Sequence, residues 1–137
     1  DSKNRINIPA PLRKQFLTKD KKTFVVTRGI DQCAWIYPIN EWNFIQNELK
    51  QLSSLSKTNR IFLRNHLRHA NILKFDSQGR FVLPQSLIDY SAIKKDVTII
   101  GVLNKIEIWN PNLLRKIDQS DEIDDQSYEE LSERVNI

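Results

Sequence analysis

The sequence predicts an α+β protein, mainly β, in which one chain carries two copies of a single small half. Three observations predict it. Asp1, Ser2, Lys3, Asn4 and Arg5 lead into Ile6, Ile8, Pro9 and Leu12. At an offset of 75, Asp76, Ser77, Gln78, Gly79 and Arg80 lead into Phe81, Leu83, Pro84 and Leu87. Farther along, Lys21 and Lys22 with Phe24, Val25 and Val26 match Lys94 and Lys95 with Val97, Thr98 and Ile99 at an offset of 73. Each match runs through a turn into a second apolar run, Cys33 to Tyr37 or Ile106 to Trp109, and each run then meets a proline, Pro38 or Pro111.

Each half opens on a short strand with apolar residues at alternate positions, Ile6 and Ile8 or Phe81 and Leu83, so one face is buried. A proline follows and starts a short helix, where its missing N–H is not needed. Leu12 with Phe16, and Leu87 with Tyr90, stand at helical spacing. Next comes a hairpin: Thr23–Thr27 and Cys33–Tyr37 around Gly29, Ile30 and Asp31, then Val97–Gly101 and Ile106–Trp109 around Leu103, Asn104 and Lys105. Between the halves, one helix is expected to start at Asn40 as its cap, with Ile45, Leu49 and Leu52 on one face. A second is expected over Lys57 to Ala70, and a third, short one behind Asn110 and Pro111. Asn71 to Phe75 reads as a strand entering the second Asp motif. The matching strand of the first half would precede Asp1, and a truncated or partly ordered N-terminus is expected. The expected division is 1–53 for the first half, 54–70 for a connecting helix, 71–117 for the second half and 118–137 for a tail.

The formal net charge of +4 conceals two unlike parts. Residues 1–117 hold twenty Lys and Arg against nine Asp and Glu, while residues 118–137 hold Arg134 alone against eight acids. The basic body points to a polyanionic partner, and the acidic tail to a loosely helical appendage with Ile123, Tyr128, Leu131 and Val135 as a stripe. The lone Cys33 excludes an intrachain disulfide, lies in an apolar run and fits a cytoplasmic protein. No apolar run approaches the roughly 20 residues of a membrane span. No phosphate-binding glycine loop or catalytic set is evident, so neither an enzyme nor a cofactor is expected. His66 and His69 lack the further ligands of a zinc site. Trp35, Trp42 and Trp109 read as core or interface. Arg60, Arg64 and Arg68 line one helix face and read as solvated, or as paired with acids of a neighbouring subunit.

The doubled Asp-x-x-x-Arg motif, each copy followed by apolar-x-apolar-Pro and a hairpin, resembles the MraZ family over about residues 1–117. Thr27, Arg28 and Gly29 with Tyr37, Pro38, Glu41 and Trp42 support it in the first half, and Ile100 and Gly101 with Ile106 to Trp109 in the second. The resemblance implies a double-psi, swapped-hairpin β-barrel of two intertwined SpoVT-AbrB-like halves with added helices. It also implies ring-like homo-oligomers, and binding to double-stranded DNA at short promoter repeats. The implied activity is regulation, chiefly repression, of the division and cell-wall gene cluster by a cytoplasmic, nucleoid-associated protein with no membrane and no small-molecule substrate. Alternatives are an assembly module that uses the same barrel for protein contacts, or an antitoxin-type DNA-binding protein.

Physically, Asp76 is expected to fix a tight turn by accepting backbone N–H groups, Gly79 to take positive φ, and Arg80 to leave the turn aimed at a base edge. By the repeat, Asp1 and Arg5 have the same tasks. The first motif has Asn4 where the family usually has Gly, and Asn tolerates the left-handed conformation better than most residues. Arg5 and Arg80 are the expected base readers, Lys3, Asn4 and Gln78 groove-facing helpers, and Arg13, Lys14 and Lys74 phosphate contacts.

Overall fold

A computed structural model of the chain describes residues 3–16, 23–119 and 124–135, with the side chains of Gln15 and Phe16 left aside. Asp1, Lys21, Lys22 and Ile123, and the side chain of Phe16, named in the expectations above, lie outside the described residues. In chain order the elements are β1 (Arg5–Asn7), α1 (Ala10–Phe16), β2 (Thr23–Arg28), β3 (Ala34–Pro38), α2 (Ile39–Leu49), α3 (Lys57–Arg68), β4 (Asn71–Lys74), β5 (Arg80–Val82), α4 (Gln85–Ser91), β6 (Thr98–Val102), β7 (Lys105–Trp109), α5 (Pro111–Asp118) and α6 (Asp125–Arg134).

The expected strands and hairpins are present, within a residue or two of their expected ends. The strands form an antiparallel ribbon of β1 and β5, and a five-stranded antiparallel sheet in the order β4-β2-β3-β7-β6. The fold is mixed rather than mainly β: helical residues outnumber strand residues among those described, because three helices separate or follow the hairpins and the tail adds another. The helix after the first hairpin starts at Ile39, capped by Pro38 and not by Asn40, because β3 runs directly into it. It ends at Leu49, so Leu52 lies beyond it and is exposed, and its buried anchor is Trp42. The next helix stops at Arg68 rather than Ala70, giving way to β4. Asn110 does cap α5, accepting from Asn112 N at 2.8 Å, and its side-chain amide donates to Ala92 O at the end of α4.

Pairing follows the repeat. In the ribbon Ile6 faces Phe81, its repeat equivalent, and in the sheet β3 meets β7 with Trp35 opposite Glu107. Val25 pairs with Tyr37 as Thr98 does with Trp109, so Trp35 and Glu107 are structural equivalents and each pairing is centred on matching residues, as a pseudo-twofold axis requires. The halves also trade elements. β4, from the second copy, adds to β2 of the first, and Tyr90 Oη on α4 donates to Gly29 O and Asp31 O at the tip of the first hairpin, both at 3.1 Å. Reciprocally, Leu12 on α1 lies over Gly101 on β6 so closely that a Cβ there would overlap it.

One core forms between the ribbon and the sheet, with Ile6, Ile8, Phe24 and Val26 of the first copy against Phe75, Phe81, Leu83 and Leu87 of the second. On the opposite sheet face Val25, Cys33, Trp35, Tyr37 and Trp109 pack with Trp42 of α2. His66 is buried there between Trp42 and Phe62, with ring centroids at 5.8 and 5.6 Å, and burial pushes its pKa down. Glu107 accepts from both indoles, Trp35 Nε1 at 2.9 Å and Trp109 Nε1 at 3.0 Å, and so ties the two hairpins together on the axis. Burial, then the Glu107 charge, pushes the Cys33 thiol up to about 12. Since the thiolate is the nucleophile, the native protein is expected to resist thiol reagents at pH 8 and to label at the rate of unfolding. Fast labelling without denaturant would contradict this burial.

Candidate nucleic-acid interface

The ribbon is the feature that gathers the expected residues. Side chains alternate along a strand. Ile6 and Phe81 point into the core, so Arg5, Asn7, Arg80 and Val82 share the outer face. Arg5 stands opposite Val82 and Arg80 opposite Asn7, which makes the two arginines diagonal neighbours, within about 7–8 Å of each other. A two-stranded β-ribbon is one of the two protein elements that the DNA major groove admits.

Both ends of the ribbon are built alike. Ile8 N donates to Gly79 O at 3.4 Å, and Leu83 N donates to Asn4 O at 2.9 Å, each bond the repeat image of the other. Gly79 has φ 77° and Asn4 has φ 61°, so both occupy the left-handed region. Asn at this position takes the positive φ that Gly takes in the second copy, and its side-chain amide donates to Gln85 Oε1 at 3.3 Å.

The second turn shows what its aspartate does. Asp76 Oδ1 accepts from Gln78 N at 2.8 Å and from Arg80 N at 2.9 Å, and Gly79 N closes on Asp76 O at 3.0 Å. Arg80 Nε donates to Asp76 Oδ2 at 3.1 Å. The ion pair is half-exposed and adds little stability by itself. It does fix the direction of the guanidinium, and leaves the terminal nitrogens as donors in a planar fork. The Arg80 backbone N–H, followed by the other bonds, holds the Asp76 carboxyl below its usual range. A depressed folded pKa stabilises the turn above the unfolded value and loses that contribution as pH falls through the folded one, so the lock holds throughout neutral pH.

The remaining expected residues divide. Lys3 and Gln78 are exposed beside the two turns. Arg13 is brought to the second turn rather than the first: its guanidinium lies against Gly79, where a Cβ would collide with it, and its Nε is buried without an acceptor among the described residues. Lys74 is exposed at the end of β4, two residues before Asp76, and pairs with Thr23 in the five-stranded sheet. Lys14 is exposed on α1, with no contact to the ribbon shown. Two cations were not among the expected readers. Lys94 and Lys95 line a recess of about 140 Å³ together with Asn4, Arg5 and Asn7, over apolar walls that include Ile88 and Ile93. Their place in the repeat was visible in the sequence, but not the fold-back from α4 that brings them beside the first motif.

Two stretches of the chain, residues 1–65 and 66–135, match a single family model described as "MraZ protein, putative antitoxin-like". Curated relatives named "Transcriptional regulator MraZ" align over almost all of it. One from Clostridium botulinum (strain Eklund 17B / Type B) is 40% identical over 136 residues, 99% of this chain and 90% of the relative. One from Natranaerobius thermophilus is 39% identical over 135 residues, 98% of this chain and 90% of the relative. One from Halothermothrix orenii is 39% identical over 132 residues, 96% of this chain and 87% of the relative.

Proposed function

The chain belongs to the MraZ family, and from that premise we propose that it is a DNA-binding transcription regulator whose β1–β5 ribbon enters the major groove. The observation that carries this reading is the shared outer face of the ribbon, where Arg5 and Arg80 stand as diagonal neighbours between two matching turns. Arg80, oriented by Asp76, reads guanine O6 and N7, and Arg5 reads the neighbouring half of the site. Lys3, Asn4 and Gln78 face the groove. Lys14, Lys74, Lys94, Lys95 and Arg13 hold phosphates on either side.

The traded strand and helix contacts support an intertwined, swapped-hairpin barrel as the architecture. Cytoplasmic, nucleoid-associated repression of the division and cell-wall cluster, by a ring-like homo-oligomer on short promoter repeats, is the finer reading that family membership supports. Tethered copies would bind repeated sites at raised effective concentration. Among the described residues no helix is long and apolar enough to cross a membrane.

Binding selected from random duplex DNA, measured by anisotropy against salt, tests the reading. Arg80→Ala is expected to erode discrimination between the selected and scrambled sites by about 1–3 kcal/mol. Lys94→Ala is expected to weaken both equally and to reduce the salt slope by about 1. An Arg80→Ala protein that still discriminates like the parent refutes the base-reading assignment.

A further inference from the structure

The tail carries a helix whose apolar face is uncovered among the described residues. α6 is capped by Asp124, whose carboxylate accepts from Ser127 N at 2.7 Å. Its apolar residues Tyr128, Leu131 and Val135 follow at three- and four-residue steps, and so form one stripe, yet they are 70%, 49% and 61% exposed. Isolated helices shorter than about 12–15 residues are marginal in water, and most helical stability comes from packing an amphipathic face. The Asp125–Arg134 helix therefore needs cover. Beside its stripe runs an acidic ridge, Asp125, Glu129 and Glu133, one residue per turn.

The basic body carries the converse surface. Leu49 on α2 and Leu63 and Leu67 on α3 line an open, almost wholly apolar groove of about 220 Å³, edged by Gln46 and Lys50. Along α3, adjoining Leu63 and Leu67, run Arg60, Arg64 and Arg68, again one per turn and all exposed. Among the described residues their guanidinium groups meet only carbonyls, the Asn65 amide and the His69 ring, and no carboxylate. Stripe matches groove, and a ridge of three acids matches a ridge of three arginines at the same spacing.

We propose that α6 of one chain seats in the α2–α3 groove of a second copy, its apolar stripe on Leu49, Leu63 and Leu67 and its acidic ridge on the α3 arginines. Among the described residues stripe and groove are both uncovered, and their matching charge ridges make a second copy the occupant. This is the helix-in-groove mode of recognition, with charge setting register and partner. It rests on the homo-oligomer reading above and names surfaces that reading leaves open.

The test is self-association of the full chain by sedimentation at about 0.1 M salt, where surface charge is only partly screened. Two variants carry reversed charge at exposed positions, Glu129→Lys with Glu133→Lys, and Arg64→Glu with Arg68→Glu. Circular dichroism like that of the parent verifies that each is folded. Each alone is expected to weaken association by about tenfold or more. An equimolar mixture is expected to restore it, since every tail then finds a groove of opposite charge on the other protein. Variants that assemble like the parent overturn the docking and leave the oligomer reading intact. A mixture without recovery also overturns it, because a tail seated on its own body would behave so. A parent that stays monomeric at all concentrations overturns both.

Discussion

Phe24→Ala is expected to destabilise both sequence halves together, by about 3–5 kcal/mol, in one transition. Phe24 is fully buried on β2 of the first copy, but its ring neighbours belong to the second. Phe75 lies 4.3 Å away between centroids and Phe81 5.1 Å away, and those two rings stand 6.0 Å from each other. Truncation leaves a cavity lined by residues from either side of the repeat, which neither side can close without moving the ribbon. Against a total stability of about 5–15 kcal/mol the loss is large. Denaturant unfolding at fixed protein concentration, followed by tryptophan fluorescence and by far-ultraviolet dichroism, checks it. The tryptophans lie in the other cluster, across the sheet from Phe24. Coincident midpoints, both shifted down, are expected. If the fluorescence midpoint stays at its parental value while the dichroism falls, the halves are separate units and the shared core is misread.

The repeat made the local elements and even their equivalences legible. Ile6 and Phe81, matched by an offset of 75 in the sequence, proved to be partners across the ribbon. The Asn4 substitution could be read as tolerable because positive φ has few occupants, and Asn is one of them. What stayed hidden depends on chain paths. A period-2 pattern fixes which face of a strand is buried, but not which strand lies beside it. Nothing local says that β4 joins β2, or that Tyr90 clasps Gly29. Asn40 is a better cap by residue type than Pro38, yet the strand ends without a spacer and the helix starts earlier. Arg13 follows the first motif in sequence. The intertwining sends it to the second, and the same folding back sets Lys94 and Lys95 beside Arg5. Candidate readers within the motifs, and Arg13, Lys14 and Lys74 outside them, were thus visible, while the places of Arg13, Lys94 and Lys95 beside the two motifs required the fold.

Gly79→Val is expected to weaken specific DNA binding by tenfold or more, whereas Gly79→Asn is expected to keep the turn, and the contrast separates two demands on one position. The first demand is conformational. At φ 77° any side chain is strained, and a β-branched one is a true outlier; the left-handed region costs roughly 1–2 kcal/mol for an ordinary L-residue. Asn at position 4 holds φ 61° in the equivalent turn of this same chain, so Asn at 79 should meet that demand. The second demand is space. Any Cβ at 79 overlaps the Arg13 guanidinium, which must swing aside in both variants. Asp76 loses its hold on Arg80 only if the turn opens, because the two backbone bonds to Oδ1 depend on the chain path from 78 to 80. Val should therefore release Arg80 and lose both affinity and discrimination, by tenfold or more. Asn should retain discrimination and weaken all duplexes alike, by the share that a seated Arg13 contributes through phosphate. Amide and carboxyl chemical shifts of Asp76 report the turn independently of DNA. A Val variant that keeps those shifts and still binds its selected site would show that the left-handed residue is dispensable.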